Sequence, residues 1–335
     1  MGLYEGLLGN SGTAITESSA PSFYNPSLLS FKKNGSVVIG GNTISTITTK
    51  TNTTDSSGSS FSPSYVSSID AFDSYVHEFF IANVTDAELN AESLNAGTQM
   101  FTRARFRNTA AGYSFAFPGF PMGFQAVLYN RSIYGTANID SATGTSRTIG
   151  TLQLDTKQIY ATYGISTLLN FDSYSFGVNF KSRGAKIYSK DSTTSKLYMY
   201  DSAGPSFVES QGQARFTNTP IEGNTLVVGH GFRSGTHEFL TDSSFVESSV
   251  LDQSYSWRQS YGYRMGVGET HQFLCGLNHL ISDKVRYFGQ DAYYSVGYSW
   301  KNRTYRSGFG LFYWNERVTQ NAAVYGLTFS SEFTY

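Results

Sequence analysis

The chain has 335 residues, a formal net charge of −1, 15% charged residues and 16% aromatics, among them 24 Tyr and 26 Phe. Soluble domains usually carry ~25% charged residues, and a nearly neutral chain gives no reason to expect a nucleic-acid partner. No run of ~20 apolar residues occurs, which excludes a helical membrane protein, and the single cysteine, Cys275, allows no internal disulfide.

Residues 1–34 open the chain with small residues, two prolines and no period-two alternation. Pro21 and Pro26 remove backbone donors, so this stretch is no central strand. Leu3, Leu7, Leu8, Phe23, Leu28, Leu29 and Phe31 are nevertheless too apolar for a solvated tail. An irregular piece packed inside something larger is expected, with a disordered periplasmic tail as the alternative. Met1-Gly2 begins neither a basic n-region nor an apolar h-region, so an exported protein would carry this sequence as its mature form.

From Gly35 onward the residues alternate as strands do. Strands are expected at 35–49, 61–71 and 75–84, with a tight turn at Asp73-Ser74, and residues 85–97, with Leu89 and Leu94, suggest a short loop helix. Residues 100–117 and 123–135 follow, then 147–166 with a bulge near Asp155–Gln158. At 174–181, Tyr174, Phe176, Val178 and Phe180 alternate with Ser175, Gly177, Asn179 and Lys181, one side lipid-like and the other watery. Residues 188–205 read as loop, 207–218 and 226–232 as strands about a turn at 219–223, and 237–253 as a polar loop. Strands at 255–266, 271–281, 287–300, 304–316 and 321–335 end the chain, the last with Tyr325, Leu327, Phe329, Phe333 and Tyr335 on one face.

About fourteen strands result. Short turns near residues 73, 119, 170, 221, 269 and 302 alternate with longer loops near 55, 91, 141, 195 and 245. That asymmetry and an aromatic final residue predict an all-β, transmembrane antiparallel barrel in the outer membrane, termini periplasmic. A soluble two-sheet protein is the alternative. A barrel of this size is too wide for its wall side chains to fill, so an N-terminal hatch at 1–34 is expected to plug a barrel at 35–335.

The run Gly9-Asn10-Ser11-Gly12-Thr13-Ala14, then Phe23-Tyr24-Asn25-Pro26-Ser27-Leu28-Leu29 before a strand opening at Gly35, resembles the hatch of the FadL-type long-chain fatty-acid transporters. Asn25 and Pro26 match that family's Asn-Pro-Ala motif, with Ser27 in place of the alanine. Residues 61–66 and Glu78-Phe79-Phe80 are similar to its second and third strands. The resemblance implies a fourteen-stranded barrel, plugged by its hatch, that releases long-chain fatty acids or other small hydrophobic molecules sideways through a gap at the third strand. The outer loops here read as shorter than the family's, which build an external groove.

The candidate site residues follow from this. Leu7, Leu8, Phe23 and Leu28 are expected to line the substrate route. Arg103, Arg105 and Arg107 share one strand face and could take a carboxylate head or a lipopolysaccharide phosphate, or form a solvated rim. His77 and Glu78 put adjacent polar groups where lipid-facing alternation should hold, so the strand either kinks there into a lateral gate or lies at the rim. Lys181 and Arg183 read as lumen residues paired with acids such as Glu332. The five histidines form no nucleophile elbow or metal-ligand spacing, so neither catalysis, cofactor nor metal is expected. Expected partners are outer-membrane lipid, lipopolysaccharide and a hydrophobic substrate. The alternative function is a sealed structural barrel that binds another envelope protein.

Overall fold

The computed structural model describes residues 3–15, 17–51, 54–58, 61–95, 98–143, 146–201, 204–212, 223–247, 255–282, 292–316 and 321–335. Its strands are β1 (Ser36–Thr51), β2 (Thr54–Gly58), β3 (Phe61–Ala71), β4 (Val76–Asn95), β5 (Thr98–Ala116) and β6 (Met122–Thr143). There follow β7 (Ser146–Asn170), β8 (Tyr174–Lys181), β9 (Ala185–Asp201), β10 (Gly204–Gly212), β11 (Thr225–Ser234) and β12 (His237–Glu247). The last are β13 (Tyr255–Val267), β14 (His271–Ser282), β15 (Ala292–Lys301), β16 (Tyr305–Glu316) and β17 (Asn321–Thr334). Two short α-helices, α1 (Leu3–Gly6) and α2 (Pro21–Tyr24), and a 3₁₀ helix (Pro26–Phe31) precede them.

Pairing of β1 with β17, from Ser36↔Thr334 to Lys50↔Asn321, closes the sheet into an antiparallel barrel. Its wall has the fourteen strands expected: β1, β3 to β8, and β11 to β17. The other three form outer extensions. β2 folds back on the outer end of β1. β9 and β10 pair with each other, and β9 runs up the outer part of β7, beyond the stretch that β8 covers.

The tally of fourteen conceals one exchange. The strand expected at 207–218 is β10 of an outer extension as far as the described residues reach, while the supposed polar loop at 237–253 supplies the wall strand β12. The short turn near this point is Ser234–His237, where Gly235 has φ 59, a left-handed value that favours glycine. The turn expected at 219–223 lies outside the described residues up to 222, and Gly223 and Asn224 sit beside Glu247 at the outer end of β12. Residues 85–95 extend β4 rather than forming a helix.

Along the wall, side chains alternate as a membrane barrel requires. Tyr113, Leu128, Phe239, Phe273, Val296, Leu311 and Leu327 are exposed on the outer face. Ser114, Gln125, Asn179, Asp242, Asn278 and Thr328 are buried on the inner one. On β17 the outward set Tyr325, Leu327, Phe329 and Phe333 is the one that the alternation predicts. A charge on the outer face at mid-membrane would cost ~2–4 kcal/mol, which explains why polar residues turn inward at that depth.

Candidate functional site

The N-terminal segment lies in the lumen. Glu5, Leu7, Leu8, Ala14, Ile15, Ser22, Asn25, Ser27, Leu28 and Leu29 are all buried. Its small residues, and glycines in the wall, bring the two backbones close. A Cβ on Gly276 of β14 would strike the Leu8–Gly9 backbone, and one on Gly177 of β8 would strike the Thr13 carbonyl.

Asn25, Pro26 and Ser27 do a definite job. Pro26 begins the 3₁₀ helix, and Asn25 caps it by accepting the Ser27 N–H at 3.1 Å. The Asn25 amide donates to the Thr13 carbonyl at 2.6 Å and to Thr167 of β7 at 3.2 Å. The Ser27 N–H also reaches the Ser166 hydroxyl at 2.8 Å. This pattern folds the segment on itself and ties it to the wall.

Carboxylates from the wall and the segment complete the attachment. Asp242 accepts the Gly12 and Thr13 N–H groups at 3.0 and 2.9 Å. Across the lumen, Glu78 accepts the Ser22 N–H at 2.9 Å and the Tyr65 hydroxyl at 2.6 Å. Glu17 of the segment faces three cations: Arg264 at 3.1 Å, Lys301 at 3.1 Å and Arg306 at 2.9 Å. Burial pushes the Glu17 carboxyl up, but Arg306, Arg264 and Lys301 outweigh it and hold it at about 2. Glu332 pairs with Lys32 at 2.7 Å, and Lys181, expected to meet such acids, donates instead to the Phe23 carbonyl at 3.0 Å.

The expected lining residues divide. Leu7, Leu8 and Leu28 pack with Ala14, Ile15, Leu168, Leu240 and Leu274 into a dry joint between segment and wall. Phe23 packs against a different cluster of Ala20, Val38, Tyr65, Phe80, Ala82, Ala110, Val127, Tyr129 and Tyr160. Here Tyr65 stacks on Phe80 at 5.7 Å, Phe23 meets Tyr65 edge-on at 6.4 Å, and Tyr129 stacks on Tyr160 at 4.9 Å. These rings, with the small Ala20, Ala82 and Ala110 among them, form a packed aromatic cluster on the luminal side of the wall. Sequence reasoning missed it, because inward aromatics on β3, β4, β6 and β7 break the apolar-out rule by which strands were read.

Beside this cluster the wall is interrupted. β3 and β4 pair from Ala71↔Val76 up to Tyr65↔Ala82 and no further, although β4 continues to Asn95. Above that point Phe61, Ser62 and Pro63 pair with β1, where the register shifts between Gly40 and Gly41. β4 shifts its register with β5 between Asn83 and Thr85. Two bulges and a proline without an N–H therefore coincide at one level. Further out β2 lies against β4, so the interruption is a window in the strand pairing. It lies roughly 16 Å above the rim where β1 begins and β17 ends, at ~2.6 Å of height per residue of tilted strand.

Of the two alternatives for His77 and Glu78, the kink does not occur. Both lie in regular pairing with β3 and β5; Glu78 points inward and is fully buried. His77 lies at the rim among Phe72, Tyr75 and Tyr113, 3.5 Å from Asp70. Arg103, Arg105 and Arg107 do not face the lumen. They share the outward parity of Tyr113 on β5 and are exposed, well above the aromatic cluster.

Several solved structures match the whole chain. The toluene transporter TbuX of Ralstonia pickettii superposes with a TM-score of 0.72 at 12% identity, over 100% of this chain and 98% of that one. The monoaromatic hydrocarbon channel CymD gives 0.69 at 13% identity, over 100% and 97%. The toluene transporter TodX of Pseudomonas putida gives 0.70 at 12% identity, over 100% and 98%. The fold is that of the outer-membrane hydrocarbon-transporter barrels. The resemblance to FadL-type transporters therefore holds at the level of architecture across the full length. No family model and no curated protein sequence matches the chain.

Proposed function

We propose that this chain is a hatch-plugged outer-membrane transporter that passes small hydrophobic molecules, aromatic ones foremost, from its lumen sideways into the membrane. One observation carries the reading: the ring-lined luminal cluster and the interruption of the wall sit at the same height, and both involve Tyr65 and Ala82. A molecule leaving there enters lipid without crossing water, which suits a solute that dissolves in hydrocarbon. Three solved barrels with this fold carry toluene or monoaromatic hydrocarbon in their descriptions.

Long-chain fatty acids remain the second substrate class. Arg103, Arg105 and Arg107, weighed as a carboxylate anchor or a solvated rim, face away from the lumen, which removes one reason to favour an acid head group. Uptake of labelled toluene and labelled oleate by cells making this protein, compared with cells carrying an Ala82→Trp, Ala110→Trp variant, tests the reading. Toluene uptake that falls to the background of cells without the barrel supports it. Toluene uptake equal in all three strains refutes it, and oleate-only uptake moves the assignment to fatty acids.

A further inference from the structure

We infer that the outward face of β5, β6, β7 and β9, above the apolar band, binds the phosphate groups of lipopolysaccharide. β5, β6 and β7 run together without a register shift, and β9 follows β7 from Arg147 to Ile159. Residues opposite one another therefore share a face and a height. One outward row reads Arg107, Ser132, Lys157, Lys190; the row above reads Arg105, Tyr134, Asp155, Ser192; the next reads Arg103, Thr136, Gln153, Thr194. Arg103, Arg105, Arg107, Lys157 and Lys190 are all exposed.

The height fits the headgroup layer. Directly below the first row stand Thr109, Asn130 and Ile159, and below those the exposed outward residues include Leu128, Tyr113, Tyr163 and Ile165, all apolar or aromatic. From Phe117 at the inner rim to Arg107 the strand climbs about 26 Å at ~2.6 Å per residue, against an apolar band about 25 Å tall. The cations thus begin where hydrocarbon ends, at the level of outer-leaflet phosphates.

The other side of the barrel differs. Among the described residues of β12 to β16, the lysines and arginines are Arg258, Arg264, Lys301 and Arg306, and all have the inward parity. At the outer ends of those strands the lipid-facing positions hold Tyr255, Trp257, Tyr294 and Tyr313. Among the described residues, β12 to β16 thus carry no outward lysine or arginine.

Acids are interspersed. Asp86 and Glu88 of β4 stand opposite Arg107 and Arg105, and Asp155 lies in the second row. The three arginines have contacts of their own, so a phosphate would join an existing lattice in which cations are in excess. Guanidinium suits that role because it meets phosphate bidentately. Lipopolysaccharide is the matching ligand because the patch lies at the outer end, away from the rim where β1 begins and β17 ends, where that lipid's phosphates cluster. The inference does not depend on what passes through the lumen.

The experiment uses the full-length barrel in zwitterionic detergent, titrated with lipopolysaccharide, with the same lipopolysaccharide after removal of its phosphates, and with phosphatidylglycerol. Binding is read from gel mobility without heating and from the thermal unfolding midpoint. Intact lipopolysaccharide should raise the midpoint and shift the band, and dephosphorylation should weaken binding at least tenfold. The Arg105→Ser, Arg107→Ser, Lys157→Ser variant should lose the same factor while keeping the mobility of a folded barrel. Equal binding of the dephosphorylated form, which needs no variant, overturns the inference. So does phosphatidylglycerol binding as tightly as lipopolysaccharide, since any lipid phosphate would then serve.

Discussion

Glu78 reaches across the lumen to the backbone N–H of Ser22 at 2.9 Å, while its second oxygen takes the Tyr65 hydroxyl at 2.6 Å. One carboxylate thus joins the N-terminal segment, the ring-lined cluster and the strand beside the window. Replacing it with leucine leaves a buried N–H and a buried hydroxyl unpaired, at ~1–3 kcal/mol each. The Glu78→Leu barrel should fold, as judged by gel mobility without heating, and conduct more ions in planar bilayers than the natural protein. Glu78→Gln keeps one acceptor and should fall between the two.

The Glu17 cage sets a pH window. Its folded carboxyl sits at about 2, below the ordinary value of 4.5. A depressed carboxylate contributes stability that is present above about 4.5 and is lost as pH falls through about 2. Conductance should therefore stay low and flat from pH 8 to 5, and the Glu17 contribution to closure should fade between pH 4.5 and 2. Glu17→Gln should conduct more at pH 7, and its difference from the natural protein should vanish by pH 2. A difference that persists at pH 2 would remove Glu17 from the closure.

The seat of the segment is made of wall glycines, and filling one should unseat it without disturbing the strands. Any side chain on Gly276 would collide with the Leu8–Gly9 backbone. Gly276→Val should give a barrel of normal mobility whose first thirty or so residues are cut by added protease at least tenfold faster. An unchanged cleavage rate would mean that the segment seats elsewhere.

If the segment plugs the lumen, deleting residues 2–34 should leave a folded barrel with a large, steady ion conductance. Equal conductance before and after deletion would make the segment a tail. A plugged natural barrel that transports nothing would favour the sealed, partner-binding alternative.

The sequence made some of this structure legible and hid other parts for physical reasons. β8 and β17 were readable because their outward residues, Ser331 apart, are apolar or aromatic and most of their inward ones are polar. β12 was not, because Glu238 and Asp242 are spent inward on Arg264 and on Gly12 and Thr13, while Thr241 and Ser243 occupy outward positions. β9 lies beyond the lipid against the outer part of β7, where no apolar face is needed, so Lys190, Ser192 and Thr194 looked like loop. Leu89 and Leu94 imitated a helix within the same outer region. Asn25-Pro26-Ser27 was visible because a cap has a local signature. The window was not, since it arises where two neighbouring strands stop pairing; Pro63, lacking an N–H, was its only local sign.

The window itself offers the most direct test. With the exposed Cys275 replaced by serine, cysteines at Ser64 and Asn83 can be joined by a short bifunctional maleimide, and uptake of labelled toluene measured before and after joining. Joining should stop toluene uptake, leave ion conductance and gel mobility unchanged, and have no effect when either cysteine is present alone. Toluene uptake that continues at its former rate across a joined window would contradict lateral release at this point.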